Sequence, residues 1–273
     1  MPRFTTTDGV SLYFTDEGSG LPVLCLSGLT RNGTDFDYVA PLLSGYRMIR
    51  LDYRGRGQSD YADPTSYTTQ REGMDALELL DHLGIDAVAV LGTSRGGMIA
   101  MGLAAMVPQR LLGIALNDIG PELDMGGLDF ILTYLGRKPA YATLAEAAAA
   151  RPALMPGFKN VPMARWEDEV AKFYFETKDG LDIPYDPKLR HGVEAMAGQT
   201  LPDLWPFFDA MAGKPLAIVW GMNSDLLNVD CVDEMARRRP DAHVARVPDR
   251  GHVPFLDEAE AQAVLKAWLK DIA

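Results

Sequence analysis

A glycine-rich hexapeptide in the first half of the chain constrains the fold more than any other segment. Residues 92–97 read Gly-Thr-Ser-Arg-Gly-Gly and directly follow the apolar run 87–91. They precede the apolar stretch 98–106, whose composition is typical of a buried helix. A Gly-x-Ser-x-Gly sequence between a strand and a helix forms a strained turn that lifts the serine hydroxyl clear of the sheet. The pattern therefore predicts that Ser94 is a nucleophile at the carboxyl end of a buried strand.

Regular alternation of apolar strands and helices surrounds this turn. Predicted strands cover residues 23–26, 46–51, 87–91, 111–116, 216–220 and 243–247, and predicted helices cover residues 69–83, 98–106 and 257–272. Such alternation indicates an α/β fold with a parallel sheet covered by helices on both faces. The alternation lapses between about residue 120 and residue 205, where an alanine-rich stretch and an aromatic-rich helix are predicted instead. We therefore expect a core of residues 1–119 and 206–273, with residues 120–205 inserted as a helical cap.

Composition limits the partners and the cellular compartment. The chain has 273 residues and a formal net charge of −12, which argues against binding to nucleic acids or anionic membranes. No apolar run approaches the roughly 18 residues of a membrane span, and the first residues do not resemble a signal peptide. The two cysteines, Cys25 and Cys231, cannot form a disulfide framework. We expect a cytoplasmic protein that acts on a small molecule.

A serine hydroxyl needs a base, and His252 is the predicted one. The reacting groups of an open α/β sheet gather beyond the carboxyl ends of its strands. His252 follows the last predicted strand directly, and Gly251 before it permits a tight turn toward Ser94. The other three histidines are expected elsewhere, at the opposite edge of the sheet or in the insertion: His82, His191 and His243.

Two aspartates compete to orient the predicted base. Asp225 follows the strand at 216–220, which neighbours the strand that leads to His252. Asp118 ends the strand that comes after the nucleophile turn, and its loop can also reach the histidine. We favour Asp225, because the chain order Ser94, Asp225, His252 matches the serine, acid, histidine order of this architecture. Asp118 would then hydrogen-bond loop backbone near the site.

Acyl transfer also requires two donors for the developing oxyanion. One is expected to be the backbone N–H of Arg95, the residue after the nucleophile. The other is expected in the turn at residues 27–30, where the N–H of Leu29 is best placed.

Taken together, these motifs resemble the α/β-hydrolase superfamily, and specifically its single-domain members with a helical cap. Residues 52–59, Asp-Tyr-Arg-Gly-Arg-Gly-Gln-Ser, are similar to the loop that follows the fourth strand in that group. The resemblance implies a mostly parallel, eight-stranded sheet and an esterase or lactonase activity. The chain departs from the family in the oxyanion turn, where Ser27-Gly28 replaces the usual His-Gly. Ser94 separates it from the haloalkane dehalogenases and epoxide hydrolases, which resemble it but use an aspartate nucleophile.

Arginines and aromatic residues supply the expectations about substrate. Four arginines fall in or beside loops at the carboxyl ends of strands: Arg31, Arg54, Arg56 and Arg95. We favour a structural role for them, in which they tie backbone and carboxylates together. The alternative is that Arg31 or Arg95 holds a substrate carboxylate. Trp166 and Trp205 are candidates to contact an apolar substrate body.

The sequence thus predicts a serine hydrolase that cleaves a carboxylic ester or lactone through an acyl-enzyme on Ser94. It contains no Cys-x-x-Cys or His-x-x-x-His pattern, so neither a metal nor an organic cofactor is expected. Two alternatives stay open. The same residues support hydrolysis of a carbon–carbon bond in ring-cleavage dienoates, and the fold also serves as a non-catalytic receptor for small ligands.

Overall fold

A computed structural model, which describes residues 2–196 and 202–273, has an eight-stranded sheet at its centre. The ten strands of the described residues are β1 (Arg3–Thr5), β2 (Ser11–Glu17), β3 (Pro22–Leu26), β4 (Arg47–Leu51), β5 (Val88–Thr93), β6 (Leu111–Asn117), β7 (Phe175–Thr177), β8 (Gly180–Asp182), β9 (Leu216–Gly221) and β10 (His243–Val247). The order in the large sheet is β1-β2-β4-β3-β5-β6-β9-β10. Only the pairings of β2 with β1 and with β4 are antiparallel there. The predicted fold class is therefore confirmed.

Helices cover both faces of this sheet. The helices of the described residues are α1 (Thr69–His82), α2 (Arg95–Met106), α3 (Met125–Tyr134), α4 (Leu144–Leu154), α5 (Met163–Phe173), α6 (Leu189–Met196), α7 (Trp205–Asp209), α8 (Val229–Arg238) and α9 (Ala259–Asp271). Successive strand residues point to opposite faces. Accordingly, Val90 of β5 belongs to the same hydrophobic cluster as Ile99 of α2, whereas its neighbour Leu91 clusters with Trp268 of α9. Both faces of the central strands are thus buried, which explains their unbroken apolar sequences.

The strand–helix alternation lapses after β6, as predicted. Helices α3 to α6 and the antiparallel hairpin β7–β8 follow, and we call these elements the cap. Of the predicted insertion, residues 197–201 lie outside the described residues. One prediction within it is wrong: the sequence predicts an aromatic-rich helix that includes Trp166, Phe173, Tyr174 and Phe175, but the helix ends at Phe173 and Phe175 begins strand β7. The division into core and insertion stays a prediction.

Two small hydrophobic clusters hold the cap together, and the first also joins it to the core through Tyr67. One consists of Tyr67, Leu135, Ile183, Tyr185 and Leu189, and the other of Ala147, Ala148, Trp166, Val170 and Leu181. Within residues 2–196 and 202–273, no helix combines the length and apolar character that a membrane span requires.

Candidate active site

Ser94 lies in the turn between β5 and α2, as its sequence context predicts. Its φ angle of 51° falls in the left-handed region, which is strained for a serine. The turn is tight enough to require glycine on its far side, since a Cβ on Gly96 would lie 1.9 Å from the carbonyl oxygen of Leu26. The Ser94 N–H donates to the carbonyl of Asn117 at the end of β6 (3.0 Å). The turn is therefore anchored to two neighbouring strands.

His252 approaches this serine from the loop after β10. Its Nε2 lies 2.9 Å from Ser94 Oγ, so the structure brings the predicted pair together. The Asn117 side-chain amide donates to the carbonyl of Pro254 (3.1 Å), which ties the histidine loop to the end of β6. The spacing is within the range in which a base can accept the serine proton.

Asp118, rather than Asp225, contacts the histidine. Asp118 Oδ2 lies 2.7 Å from His252 Nδ1, and the Asp118 side chain is fully buried. Its Oδ1 accepts from the N–H of Gly221 (2.8 Å), and its Oδ2 also accepts from Ser224 Oγ (2.6 Å). Asp225 is exposed on the loop after β9, so its assignment as the orienting acid is wrong in this geometry.

Local geometry explains why Asp118 occupies this place. It follows β6 immediately and has a φ of 54°, a left-handed conformation that aspartate tolerates better than most residues. Asp225 lies further beyond its strand, where its carbonyl packs so closely on Gly127 of α3 that a Cβ there would be 2.6 Å away. The order serine, acid, histidine along the chain holds for either aspartate. Asp118 also hydrogen-bonds loop backbone, as the alternative interpretation proposed, but it reaches the histidine as well.

The two predicted oxyanion donors flank the serine. Arg95 is the first residue of α2, where a helix leaves its backbone N–H groups without intrahelical partners. Leu29 lines the same cavity as Ser94, and a Cβ on the preceding Gly28 would lie only 3.9 Å from the Ser94 Cβ. Their role in binding an oxyanion stays a prediction.

The Arg95 side chain turns away from the cavity into a buried ionic network. Its Nε donates to Glu72 Oε2 (2.5 Å) and its Nη2 donates to the carbonyl of Tyr67 (2.9 Å). Arg56 Nη1 lies 2.7 Å from the other oxygen of Glu72. Burial by itself would raise the pKa of the Glu72 carboxyl, but the guanidinium groups of Arg56 and Arg95 outweigh burial and lower that pKa. The Arg95 guanidinium is therefore a structural group, and the alternative in which it binds a substrate carboxylate is wrong.

Arg54 is a structural group of the same kind. Its Nε donates to Asp75 Oδ2 (2.7 Å) and its Nη1 donates to Asp8 Oδ2 (2.8 Å). The side chains of Arg54 and Asp75 are both fully buried. The structural interpretation therefore fits Arg54, Arg56 and Arg95.

One cavity joins Ser94 and His252 to the cap. Its walls include Ser94 and His252 from the sheet edge, and Trp166 from α5. Trp166 is buried against Phe158 and Phe255, with ring centroids 5.8 and 6.5 Å away. The structure thus places the predicted Trp166 at the cavity.

Arg31 also lines this cavity, but two carboxylates hold it. Its Nε donates to Asp35 Oδ1 (2.7 Å), and its Nη2 lies 3.4 Å from Glu169 Oε2. Its guanidinium carbon is 3.5 Å from the centre of the Phe173 ring. Although burial opposes the charge, the nearby carboxylates raise the pKa of Arg31.

Trp205 lies outside the cavity, contrary to its prediction as a substrate contact. Its indole Nε1 donates to Glu122 Oε1 (2.7 Å) and its ring meets Phe208 edge-on at 5.6 Å. The guanidinium carbon of Arg238 lies 4.0 Å from the indole centre. Trp205 therefore packs against the core through α7.

Sequence reasoning missed Arg151, which lines the cavity from the end of α4. The residue lies in an alanine-rich helix with no recognisable motif, so only its position in three dimensions marks it. In the part of the chain that the structure describes, no group of three or more His, Cys, Asp or Glu residues is arranged to hold a metal ion.

Comparison with known proteins gives the family. The family model described as the alpha/beta hydrolase fold matches residues 22–259, which is most of the chain. The chain belongs to the α/β-hydrolase family. A crystal structure of an α/β-hydrolase from Novosphingobium aromaticivorans superimposes with a TM-score of 0.92 and 36% identity, covering 99% of this chain and 97% of that one.

Two relatives of this α/β-hydrolase carry more specific names. The 3-hydroxybutyrate-oligomer hydrolase of Cupriavidus necator is 35% identical over 250 residues, which span 87% of this chain and 85% of the relative. The 2-(acetamidomethylene)succinate hydrolase of Mesorhizobium japonicum is 27% identical over 261 residues, or 94% of this chain and 90% of the relative. These similarities support a hydrolase with a small-molecule substrate.

Proposed function

We propose that the protein is a serine hydrolase that cleaves a carboxylic ester or lactone through an acyl-enzyme on Ser94. The observation that carries the proposal is the continuous chain of contacts from Ser94 Oγ to His252 Nε2 (2.9 Å) and from His252 Nδ1 to Asp118 Oδ2 (2.7 Å). A nucleophile, a base and a buried acid in this arrangement are the parts that acyl transfer needs.

Acylation begins when Ser94 Oγ attacks the carbonyl carbon of the substrate. His252 Nε2 takes the serine proton as the new C–O bond forms. Asp118 accepts a hydrogen bond from Nδ1–H, which keeps the imidazole in the correct tautomer and stabilises its protonated form. The N–H groups of Leu29 and Arg95 hold the negative oxygen of the tetrahedral intermediate.

Breakdown of the intermediate releases the alcohol and regenerates the enzyme. His252 returns its proton to the alkoxide oxygen as the ester C–O bond breaks. In a lactone this alcohol stays attached to the acyl group. A water molecule, deprotonated by His252, then attacks the acyl carbon. The bond from that carbon to Ser94 Oγ breaks, His252 returns its proton to the serine oxygen, and a carboxylic acid leaves.

The comparisons support an ester as the substrate class. The Cupriavidus necator relative is named for hydrolysis of 3-hydroxybutyrate oligomers, and oligomers of a hydroxy acid are joined by ester bonds. An oxygen ester in a small, mainly aliphatic compound is therefore the first substrate to assay.

Replacement of the nucleophile is the primary experiment. We expect Ser94→Ala to lower the turnover of 4-nitrophenyl butyrate by roughly 10⁴-fold or more, because triad members act as a unit. The wild-type protein should also be labelled by a fluorophosphonate, and Ser94→Ala should not. Ser19→Ala, which removes an exposed hydroxyl between β2 and β3, is the matched control and should behave as wild type.

The same assay separates the alternatives. Undiminished ester turnover in folded Ser94→Ala would contradict the mechanism. Turnover of a ring-cleavage dienoate, with none of esters or lactones, would replace ester cleavage with carbon–carbon bond hydrolysis. Ligand binding without turnover of any of these compounds by the wild-type protein would favour a receptor.

A further inference from the structure

A positively charged side chain without a protein partner faces the cavity. Arg151, in the last turn of α4, lines the same cavity as Ser94 and His252. Its guanidinium carbon lies 4.3 Å from the centre of the Phe173 ring. Its Nε–H is buried and has no hydrogen-bond partner, and its guanidinium forms no ion pair with a carboxylate among residues 2–196 and 202–273. A cation in such a position normally pairs with an anion.

The neighbouring Arg31 has the carboxylate partners that Arg151 lacks. Arg31 stacks on the same Phe173 ring, yet it contacts the carboxylates of Asp35 and Glu169. Burial lowers the pKa of Arg151, and the positive charge of Arg31 adds to this effect, whereas Tyr174, Tyr134 and Glu169 act in the opposite direction. Arginine is protonated at neutral pH, so Arg151 carries its charge. The fold therefore maintains, beside Ser94 and His252, a cation that no carboxylate of the described residues contacts directly.

Another unpaired donor borders the same cavity. Nη1 of Arg31 is buried and has no hydrogen-bond partner among the described residues. Burying such groups costs free energy unless a partner is supplied. Nη1 of Arg31 and the guanidinium of Arg151 are therefore donors that a ligand with acceptor oxygens can satisfy.

We propose that Arg151 binds a carboxylate of the substrate, so that the enzyme prefers esters that carry a free carboxylate. This inference rests on the proposed function and names the substrate class of the same site. The planar guanidinium can donate two parallel hydrogen bonds to the two oxygens of a carboxylate. Stacking on Phe173 holds that plane in place before the substrate arrives. A local cation is also needed, because the net charge of −12 repels anions at long range.

A pair of substrates that differ only in charge tests the proposal. The linear dimer of 3-hydroxybutyrate ends in a carboxylate, and its terminal carboxamide contains the same ester without the charge. We expect Arg151→Met to lower kcat/KM for the dimer by roughly 30-fold or more, because it removes one partner of a buried charge pair. The kcat/KM of the carboxamide should change by less than about threefold. Arg151→Lys should retain part of the preference for the dimer, since lysine keeps the positive charge but cannot donate two parallel hydrogen bonds from a planar group.

Arg137→Met is the matched control, since Arg137 lies in the loop between α3 and α4, is exposed and does not line the cavity. It removes the same charge and should leave kcat/KM for both substrates at the wild-type value. Equal losses on dimer and carboxamide in Arg151→Met would show a packing role and overturn the proposal. A wild-type enzyme without preference for the dimer would also overturn it.

Calorimetry separates this proposal from the mechanism. In a Ser94→Ala background, the dimer should bind more tightly than its carboxamide, and the additional Arg151→Met substitution should abolish the difference. Charge-dependent binding without wild-type hydrolysis would contradict the proposed function while leaving the carboxylate site intact. Hydrolysis of 4-nitrophenyl butyrate with no charge-dependent binding would contradict only the role of Arg151.

Discussion

Side chains reach the cavity from two regions of the molecule, the carboxyl edge of the sheet and the cap, and the two regions hold them differently. At the sheet edge, Ser94, Asp118 and His252 lie in loops that follow strands of the same sheet. Those strands are buried on both faces by large hydrophobic clusters. The cap presents its side chains from helices that pack in two much smaller clusters.

The pairing of charged side chains also differs between the sheet edge and the cap. Asp118 and Glu72 are fully buried at or beneath the sheet edge, and each is contacted on both carboxylate oxygens. In the cap, Arg151 is left without a carboxylate from the described residues. Under the proposed function, the sheet edge is organised in advance for the reaction, whereas the cap leaves Arg151 free to bind substrate. Substitutions at the sheet edge should accordingly change kcat, and those in the cap should change KM or substrate preference.

The largest effect in this comparison is expected from the acid. We expect Asp118→Asn to lower kcat by roughly 10³- to 10⁴-fold, because an amide no longer holds the imidazole in the tautomer that accepts the serine proton. Asp225→Asn, an equivalent change on the neighbouring loop, should leave kcat within about twofold. Steady-state kinetics on one ester, with melting curves to check folding, compare the two variants. A large loss of kcat in Asp225→Asn, with little loss in Asp118→Asn, would show that Asp225 is the orienting acid.

A smaller effect is expected on stability from the ionic network beneath Ser94. Replacing Glu72 by Gln leaves two buried guanidinium groups without their carboxylate, which typically costs about 3–5 kcal/mol of unfolding free energy. Glu234→Gln is the control, because Glu234 pairs with Arg237 and Arg238 at the surface, where ion pairs contribute little. Denaturant titrations at pH 7 measure both. Equal stability of the two variants would contradict a structural role for this network.

The same network predicts how the free energy of unfolding changes when the pH is lowered. Glu72 has a lowered pKa in the folded protein, so its contribution is fully present above its unfolded pKa of about 4.3. That contribution is lost as pH falls through the lower folded value. The wild-type protein should therefore lose more unfolding free energy than Glu72→Gln when the pH is lowered from 6 toward about 3. Parallel pH profiles for the two proteins would contradict the prediction.

The smallest effect is expected from the cap aromatics. Trp166→Leu removes part of the cavity wall and should raise KM for a neutral ester by roughly three- to tenfold, with kcat nearly unchanged. Trp205→Leu changes a residue that packs on the core outside the cavity, so its KM should stay at the wild-type value. Measuring kcat and KM separately distinguishes lost binding from lost chemistry. A fall in kcat for Trp166→Leu would show that the cap also positions the reacting groups.

Features that depend on a few consecutive residues could be predicted from the sequence, whereas features that depend on contacts between distant segments could not. The turn at Ser94 was predictable because it depends on a few consecutive residues between a strand and a helix. His252 was predictable because it follows the last strand of the sheet directly and its three competitors do not. The choice between Asp118 and Asp225 failed, since both follow strands near His252 and both satisfy the same chain order.

The cap was the least predictable region. Trp166 and Trp205 are equivalent as residue types, yet only Trp166 lines the cavity. Arg151 carries no motif, and its lack of a partner is visible only once Arg31 is seen to hold both nearby carboxylates. Side-chain pairing among distant helices depends on their packing angles and contacts, which no local pattern records.

The sequence by itself determined the α/β fold and predicted that Ser94 and His252 meet at the sheet edge, because strand and helix periodicity and one strained turn are local properties of the chain. Only the tertiary structure decided which aspartate contacts His252 and which cavity arginine lacks a carboxylate partner among the residues that the structure describes. Those outcomes depend on backbone angles at single residues, such as the φ of 54° at Asp118, and on contacts between segments more than a hundred residues apart. Such contacts form only when the sheet and the cap have packed.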